Sequence, residues 1–421
     1  LIFVVDTSKI ESGSSTNVQY KIPLQLKTGL YDVDCKYIIK WGDTTQSTIT
    51  SSVDANLLHT YPFAGEYTIK IYPLSGASRI SFFVNNLANR DRLKIREINQ
   101  VGFAEIDSLY GCANMRAFTA TDFSTYWNTK TDMSYMFAGW NTFNATLPSG
   151  FGNFPNATNM AGVFQGWWVY NTTLPAGFGS FANATNLYCT YLDWRVFNKA
   201  LPAGFGVYPN ATNLYYTYCE WFAFNQTLPA GFGNFPLATN VSEIFNSWII
   251  FNQTLPSGFG NYPLATAVSY AFQSWRVFNQ ALPSGFGNFP LATAVSYAFV
   301  AWYAFNQSIT LTTSASLTNI AQAFHLSIFK NITISNCTNV STINIYTFNV
   351  VPLETLIVNN LKISFTIQYS TFTKTAYLDL IASLKDMTAL TSPTMTVKNV
   401  PAFDTDCDNA AAAKNWTVVK I

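Results

Sequence analysis

The chain has 421 residues, 49% of them apolar, which is room for two or three domains around a sizeable core and excludes a disordered protein. Only 11% are Asp, Glu, Lys or Arg, against roughly 25% in an ordinary globular protein; a net charge of +1 with no basic block excludes the Lys/Arg footprint of a nucleic-acid binder. No run approaches the ~18 apolar residues of a membrane-spanning helix, so the mean hydropathy of +0.12 reflects aromatic residues, not a membrane span.

The chain opens at Leu1 rather than Met, as a chain trimmed of a leader would, and no signal peptide is visible. Over residues 1–85, runs at Val18 to Leu26, Tyr31 to Trp41 and Tyr67 to Tyr72 alternate apolar and polar residues between polar turns. That pattern predicts a small antiparallel β-sandwich. Val84 to Arg92 reads as a linker, and residues 86–132 as linker plus first irregular coils.

From 133 to 309 the chain repeats. Trp140, Trp167, Trp194, Trp221, Trp248, Trp275 and Trp302 recur every 27 residues without an indel. An aromatic-Asn pair follows each, from Phe143-Asn144 to Phe305-Asn306. A Leu-Pro-Ser/Ala-Gly-Phe-Gly block comes next (Leu147 to Gly152 in the first copy), and an Ala-Thr pair closes the pattern. Such a coil cannot bury its apolar face alone, so the repeat predicts a solenoid. The columns headed by Met133 and Phe137 read as inward ladders on a short parallel strand. The Pro and two Gly of each block forbid regular structure and mark a turn. The Asn column is expected to satisfy backbone groups at a corner, coil after coil.

Ile106 to Tyr110 sits 27 residues before Met133 to Phe137, as an earlier and looser coil. From 310 to 421 the period shortens. Leu317 to Ile320, Asn339 to Ser341 and Leu356 to Val358 read as truncated coils, and Thr375 to Met387 as an amphipathic helix with Leu378, Ile381 and Leu384 inward. Ala410 to Lys414 reads as a helical turn before a final strand, Trp416 to Ile421. Together these make an irregular C-terminal cap.

Two residue sets carry a resemblance. Trp41-Gly42-Asp43, then His59-Thr60-Tyr61 and Gly65-Glu66-Tyr67-Thr68, resemble the signature of PKD-like β-sandwich modules. Thr131-Asp132-Met133-Ser134-Tyr135-Met136-Phe137 with Phe143-Asn144 resembles the repeat of BspA-like leucine-rich-repeat surface proteins. The stretch from Leu93-Lys94-Ile95 to Gly111-Cys112-Ala113-Asn114-Met115 fits the join between the two parts. The resemblance implies a PKD-like module followed by a leucine-rich-repeat-like solenoid in a surface-exposed bacterial or virus-borne protein of adhesion or display. The Leu-Pro-x-Gly-Phe-Gly block departs from that family and lengthens the coil.

Candidate chemistry is sparse. The two histidines, His59 and His325, lie in different modules, and no nucleophile elbow, phosphate loop or zinc spacing is present. Six cysteines (Cys35, Cys112, Cys189, Cys219, Cys337, Cys407) occur without a CxxC. No catalytic residue, cofactor or metal is expected. The residue after each Trp varies among otherwise near-identical coils: Asn141, Trp168, Arg195, Phe222, Ile249, Arg276 and Tyr303. A varying column in a constant repeat is expected at the surface, and Trp, Phe, Tyr and Arg are good contact material. The expectation is therefore a non-enzymatic adhesion protein at an extracellular, cell or virion surface. Its partner would be a glycan or protein on a host or neighbouring cell. The competing expectation is a structural assembly subunit of a virion, filament or surface layer, whose partners are copies of itself. Thirteen Asn-x-Ser/Thr sequons, Asn144, Asn171, Asn225, Asn252 and Asn306 among them, are acceptors only in a glycosylating secretory pathway.

Overall fold

A coil with one apolar face must be given partners by the coils before and after it, and the computed structural model of the protein is built on that requirement. The fold is mainly β and 7% helical, with a β-solenoid of about 14 turns from residue 97 onward. The structure describes residues 1–25, 36–51, 53–74, 81–84, 90–349, 353–368, 370–398 and 402–421. The chain divides into two compact units. One comprises Leu1–Phe181 with Thr190–Pro202, the other Ala182–Cys189 with Ala203–Ile421.

In the first unit the strands are β1 (Ile2–Asp6), β2 (Gln19–Lys21), β3 (Leu24–Gln25), β4 (Tyr37–Lys40), β5 (Gln46–Ile49), β6 (Leu58–Thr60), β7 (Glu66–Pro73), β8 (Ser81–Val84), β9 (Ile95–Gln100), β10 (Glu105–Leu109) and β11 (Ala117–Phe118), followed by the short helix α1 (Ser124–Trp127). The run expected from Val18 to Leu26 is broken at Pro23, which has no N–H to donate to a ladder; Leu26 and Tyr31 to Cys35 lie outside the described residues. One sheet runs β11-β9-β1-β7-β4-β5 and a second β10-β8-β3. Phe3 of the first meets Phe82 of the second edge-on at 5.3 Å.

An N-terminal sheet thus exists, but it is not antiparallel throughout and does not stop at residue 85. β9 pairs antiparallel with β1, while β11 on β9 and β10 on β8 are parallel. Residues 95–109, expected as linker and loose coil, enter these sheets because Ile95, Ile98, Ile106 and Leu109 bury their side chains. Residues 85–89 of the expected linker lie outside the described residues.

The inward columns are where the repeat places them: Met133, Met160 and Leu187 to Val295, and Phe137, Phe164 and Tyr191 to Phe299, are all buried. The segment carrying them is not a strand. It is a stack of turns with one parallel bridge per coil, Asp132 to Asn159 in the first unit and Asn186 to Asn213, Asn240, Ala267 and Ala294 in the second. The cause is backbone conformation. Tyr135, Cys189, Tyr216, Glu243, Tyr270 and Tyr297 all have φ between 54° and 61°, a left-handed value that a strand cannot contain.

Each Pro-Gly block is the expected turn. Phe232 N–H donates to the Pro229 carbonyl at 3.1 Å, and Gly231 and Gly233 hold φ of 78° and 77°. The Asn corner is also present: Asn144 Oδ1 accepts from the Asn171 N–H at 2.8 Å, and Asn225 Oδ1 from Asn252 N–H at 2.9 Å. The Ala-Thr pairs form a third ladder, in which each Ala is buried and Thr158, Thr212, Thr239, Thr266 and Thr293 each donate through N–H and Oγ1 to the Thr carbonyl one coil earlier, as Thr239 does to Thr212.

Where the Pro-Gly block disappears, regular strands replace it. β12 (Ser308–Leu311), β13 (Asn331–Ile334) and, after β14 (Phe348–Asn349), β15 (Thr355–Val358) pair in parallel register, Ile309 on Ile332 on Leu356. β16 (Phe365–Gln368), α2 (Lys374–Ser383), β17 (Thr394–Lys398), α3 (Thr405–Ala413) and β18 (Thr417–Lys420) complete the second unit. α2 is capped by Thr373, whose Oγ1 accepts from the Ala376 N–H. It ends at Ser383, earlier than Met387, and buries Tyr377 and Leu380 with Ile381, leaving Leu378 half-buried. α3 starts five residues before the expected turn because Asp404 caps it, accepting from Asp406 and Cys407 N–H. Among the described residues no helix is long and apolar enough to cross a membrane.

The two glycines of one block separate strain from packing. A Cβ on Gly206 would lie 2.1 Å from the Phe232 ring, whereas one on Gly204 meets nothing within 4 Å. Gly206→Ala is expected to cost about 3 kcal/mol or more, from a left-handed residue plus a forced ring shift. Gly204→Ala is expected to cost about 1 kcal/mol, from its φ alone. Denaturant melts of the two variants check this; equal losses would remove the ring contact from the account.

Candidate functional site

The Trp column is core. All seven indoles are fully buried, stacked at 5.3 Å for Trp140 on Trp167 and 5.8 Å for Trp221 on Trp248. The indole N–H groups of Trp140, Trp167, Trp194, Trp248, Trp275 and Trp302 each find a backbone carbonyl one coil back, as Trp167 does at Phe137 O and Trp275 at Phe245 O, both 2.8 Å. Only the flanks reach solvent. Of the seven sequence-selected residues, Trp168 (40% exposed), Arg195, Arg276 and Tyr303 (48%) are exposed. Asn141, Phe222 and Ile249 are half-buried. One position further on, Val169 and Val196 in the first unit and Ile250 and Val277 in the second are exposed too.

Asn141, Trp168 and Arg195 belong to the first unit, the other four to the second. Arg195 lies over the Trp168 ring at 5.0 Å and its guanidinium meets Asp193 Oδ1 at 2.8 Å. An exposed arrangement of this kind holds Arg195 in place with about 1 kcal/mol or less.

A second, half-buried row carries no glycine or charge pattern that marks it in the sequence. In three coils of the second unit the left-handed residue leaves two successive half-buried side chains between buried pairs, Tyr215-Tyr216, Ser242-Glu243 and Ser269-Tyr270; in the next coil Tyr297 is half-buried beside a buried Ser296. Tyr216 donates its hydroxyl to Glu243 Oε1 at 2.9 Å, and Asn246 Nδ2 donates to Glu243 Oε2 at 2.8 Å. Tyr270 and Tyr297 stack at 4.6 Å and 4°, and Gln322 Nε2 donates to the Tyr297 hydroxyl. The hydrogen bond with Tyr215, burial and the Glu243 carboxylate hold the Tyr216 phenol far above its ordinary pKa. Burial beside Tyr297 and Glu243 raises that of Tyr270. These hydroxyls are therefore neutral donors at any physiological pH.

The N-terminal motif residues also come together. His59 Nε2 meets Asp43 Oδ2 at 2.7 Å, and its ring lies flat on Trp41 at 4.6 Å. Tyr61 donates its hydroxyl to the Trp41 carbonyl and stacks on Tyr67. This is a small aromatic core locked by one charge-assisted contact. Burial opposes ionisation of Asp43, but hydrogen bonds from Thr45 and His59 outweigh it and hold the carboxyl below its usual range.

His325 sits 4.9 Å from the Tyr346 ring with its pKa lowered by burial. Cys112, Cys189, Cys219, Cys337 and Cys407 are all buried, and burial pushes the Cys337 thiol up to about 12; Cys35 lies outside the described residues. Among the described residues no group of three His, Cys, Asp or Glu is placed to hold a metal ion.

Because the Asp43 carboxyl is depressed in the folded state, its stabilisation is complete above the unfolded value near pH ~4 and lost as pH falls below it. The melting temperature of the native chain is expected to fall more steeply from pH 4.5 to pH 3 than that of Asp43→Asn. Parallel slopes would show that the contact carries no pH-dependent energy. No protein-family model, no curated protein and no solved structure matches this chain.

Proposed function

We propose that the chain is a non-enzymatic, surface-exposed adhesion protein. In this reading the N-terminal sheets are a PKD-like module and the solenoid a leucine-rich-repeat-like array of the BspA-like kind, displayed outside a cell or on a virion. The observation that carries the proposal is the exposure of Trp168, Arg195, Arg276 and Tyr303 beside a fully buried Trp column. The coils keep their inward and corner residues constant and vary what they present outward. Aromatic and Arg side chains on a rigid support are the residue types that dominate contact energy.

A second reading, a structural assembly subunit, is favoured by a different observation. In the second unit Leu237, Leu264 and Leu291 form an exposed apolar row one coil apart, and a second copy has the same spacing with which to meet it.

Arg195 and Arg276 are exposed, so replacing both with Ala is expected to cost about 1 kcal/mol or less in stability. In the adhesion reading the chain stays near 46.8 kDa by light scattering at every concentration. Its binding to host cells or immobilised glycans then falls roughly tenfold or more in Arg195→Ala/Arg276→Ala. Concentration-dependent growth without any ligand, relieved by Leu264→Asn, would instead make assembly the primary function.

A further inference from the structure

We propose that the tyrosine-glutamate row of the second unit is a binding strip for an extended, uncharged carbohydrate chain, an inference that rests on the reading of this protein as a binding protein. Four features of the strip lead to it.

The strip offers hydrogen-bonding side chains in register. Tyr216, Glu243, Tyr270 and Tyr297 occupy equivalent positions one coil apart, with the Tyr270 and Tyr297 rings 4.6 Å from each other. A chain of sugar rings is the polymer that presents hydroxyls at a comparable repeat over a long, straight path. Among the described residues the Tyr270 hydroxyl, at the middle of the strip, has no hydrogen-bond partner in the protein.

The charge pattern selects the ligand. Of the outward residues at these positions only Glu243 is charged, and its carboxylate is already oriented by Tyr216 and Asn246. A carboxylate held this way accepts from ligand hydroxyls through its remaining lone pairs. With no Lys or Arg in the strip, a sulfated or phosphorylated polymer finds no counter-charge and meets Glu243 instead.

The backbone selects it further. The N–H groups beneath the strip are engaged between coils: Glu243 donates to Ser269 O at 3.0 Å, Tyr270 to Ser296 O at 3.0 Å and Tyr297 to Ala321 O at 3.1 Å. A peptide seeking to add a strand has no ladder to join here. Nor do the polar Ser242, Ser269 and Ser296 beside the ring column form an apolar groove for a helix.

Finally, the support is rigid. The inward neighbours of each outward pair are buried against the next coil, so the hydroxyl spacing is set before a ligand arrives and little ordering entropy is lost on binding.

The test is affinity electrophoresis of the full chain through native gels containing hydroxyethyl cellulose, mannan or soluble starch, with heparin as the anionic comparison. At least one neutral polymer is expected to retard the chain, and heparin is not. Tyr270→Phe/Tyr297→Phe, which keeps both rings and removes only the hydroxyls, is expected to weaken that retardation about tenfold. Glu243→Gln is expected to weaken it as well, while Lys362→Ala, at an exposed residue outside both rows, migrates like the native chain; Arg195→Ala/Arg276→Ala is run beside them. Three results overturn the proposal: no retardation by any neutral polymer, retardation by heparin alone, or native behaviour of both strip variants. If the strip variants bind normally and the arginine variant does not, the strip is refuted while the binding-protein reading stands on its first face.

Discussion

The contact on which the solenoid depends is one Trp ring lying against the next, with its N–H on a carbonyl of the coil before. A buried indole needs both parts: an apolar surface for the ring and an acceptor for the nitrogen. Here the neighbouring coil supplies both, Trp248 stacking on Trp275 at 5.8 Å while Trp275 donates to Phe245 O at 2.8 Å. Removing an aromatic side chain of ~150–250 Å² from water contributes roughly 4–6 kcal/mol before entropy is subtracted, and no coil realises it alone. The same geometry explains the absence of indels. A one-residue slip in any coil would part its Trp from the ring on one side and leave an N–H or a carbonyl unpaired in the core.

Backbone handedness decides what faces out. A strand would alternate inward and outward residues one by one. The left-handed residue interrupts that alternation, so that at Tyr215-Tyr216, Ser242-Glu243 and Ser269-Tyr270 two adjacent side chains are half-buried and the next two face the core. The core thereby gains paired positions such as Thr217-Tyr218 and Ile244-Phe245, and the surface gains the two-residue strip. The same logic runs in reverse after Gln307. Once the Pro and the two Gly are gone, Ile309 and Leu311 point inward on a regular strand and the coils shorten.

Much of this was legible in the sequence because identity at a fixed spacing implies structural equivalence. The inward columns at Met133 and Phe137, the Pro-Gly turn and the Asn144 corner all follow from that reasoning. The left-handed column does not, because Tyr216, Glu243 and Tyr270 give no sign of positive φ that a glycine would have given. No sequence signal therefore marks the strip they form, and the β-branched and aromatic residues around it read as a strand where the chain makes turns. The N-terminal sheet hid its extent differently. β9 is brought to β1 by a pairing ninety residues apart in sequence, Val5 on Ile95, and no local pattern announces a partner at that distance. Variation among coils pointed to the flank of the Trp column, and Trp168, Arg195, Arg276 and Tyr303 are exposed there. Asn141, Phe222 and Ile249 of the same column are half-buried instead, a difference that variation alone does not signal.

The low charge, which reads at first as a sign of permanent association, has a source inside the fold. Stacked coils place each residue about 5–6 Å from its counterpart in the next coil, as the Trp and Phe columns measure directly. Two like charges at that distance repel by roughly 1 kcal/mol even in water and by more at a protein surface, and a repeating Lys or Glu column would incur this at every step. Asn and Thr avoid it because each both donates and accepts, and so can bond its own kind, as Asn144 with Asn171 and Thr212 with Thr239 do. The residues from 133 to 309 hold six charges, and only Asp193 and Glu220 share a sign in one column one coil apart in sequence; Arg195 is paired to the first of them. Charge is scarce because identical coils are stacked. Scarcity alone therefore argues for neither adhesion nor assembly, and the weight falls on the few side chains that the stacking leaves free to vary.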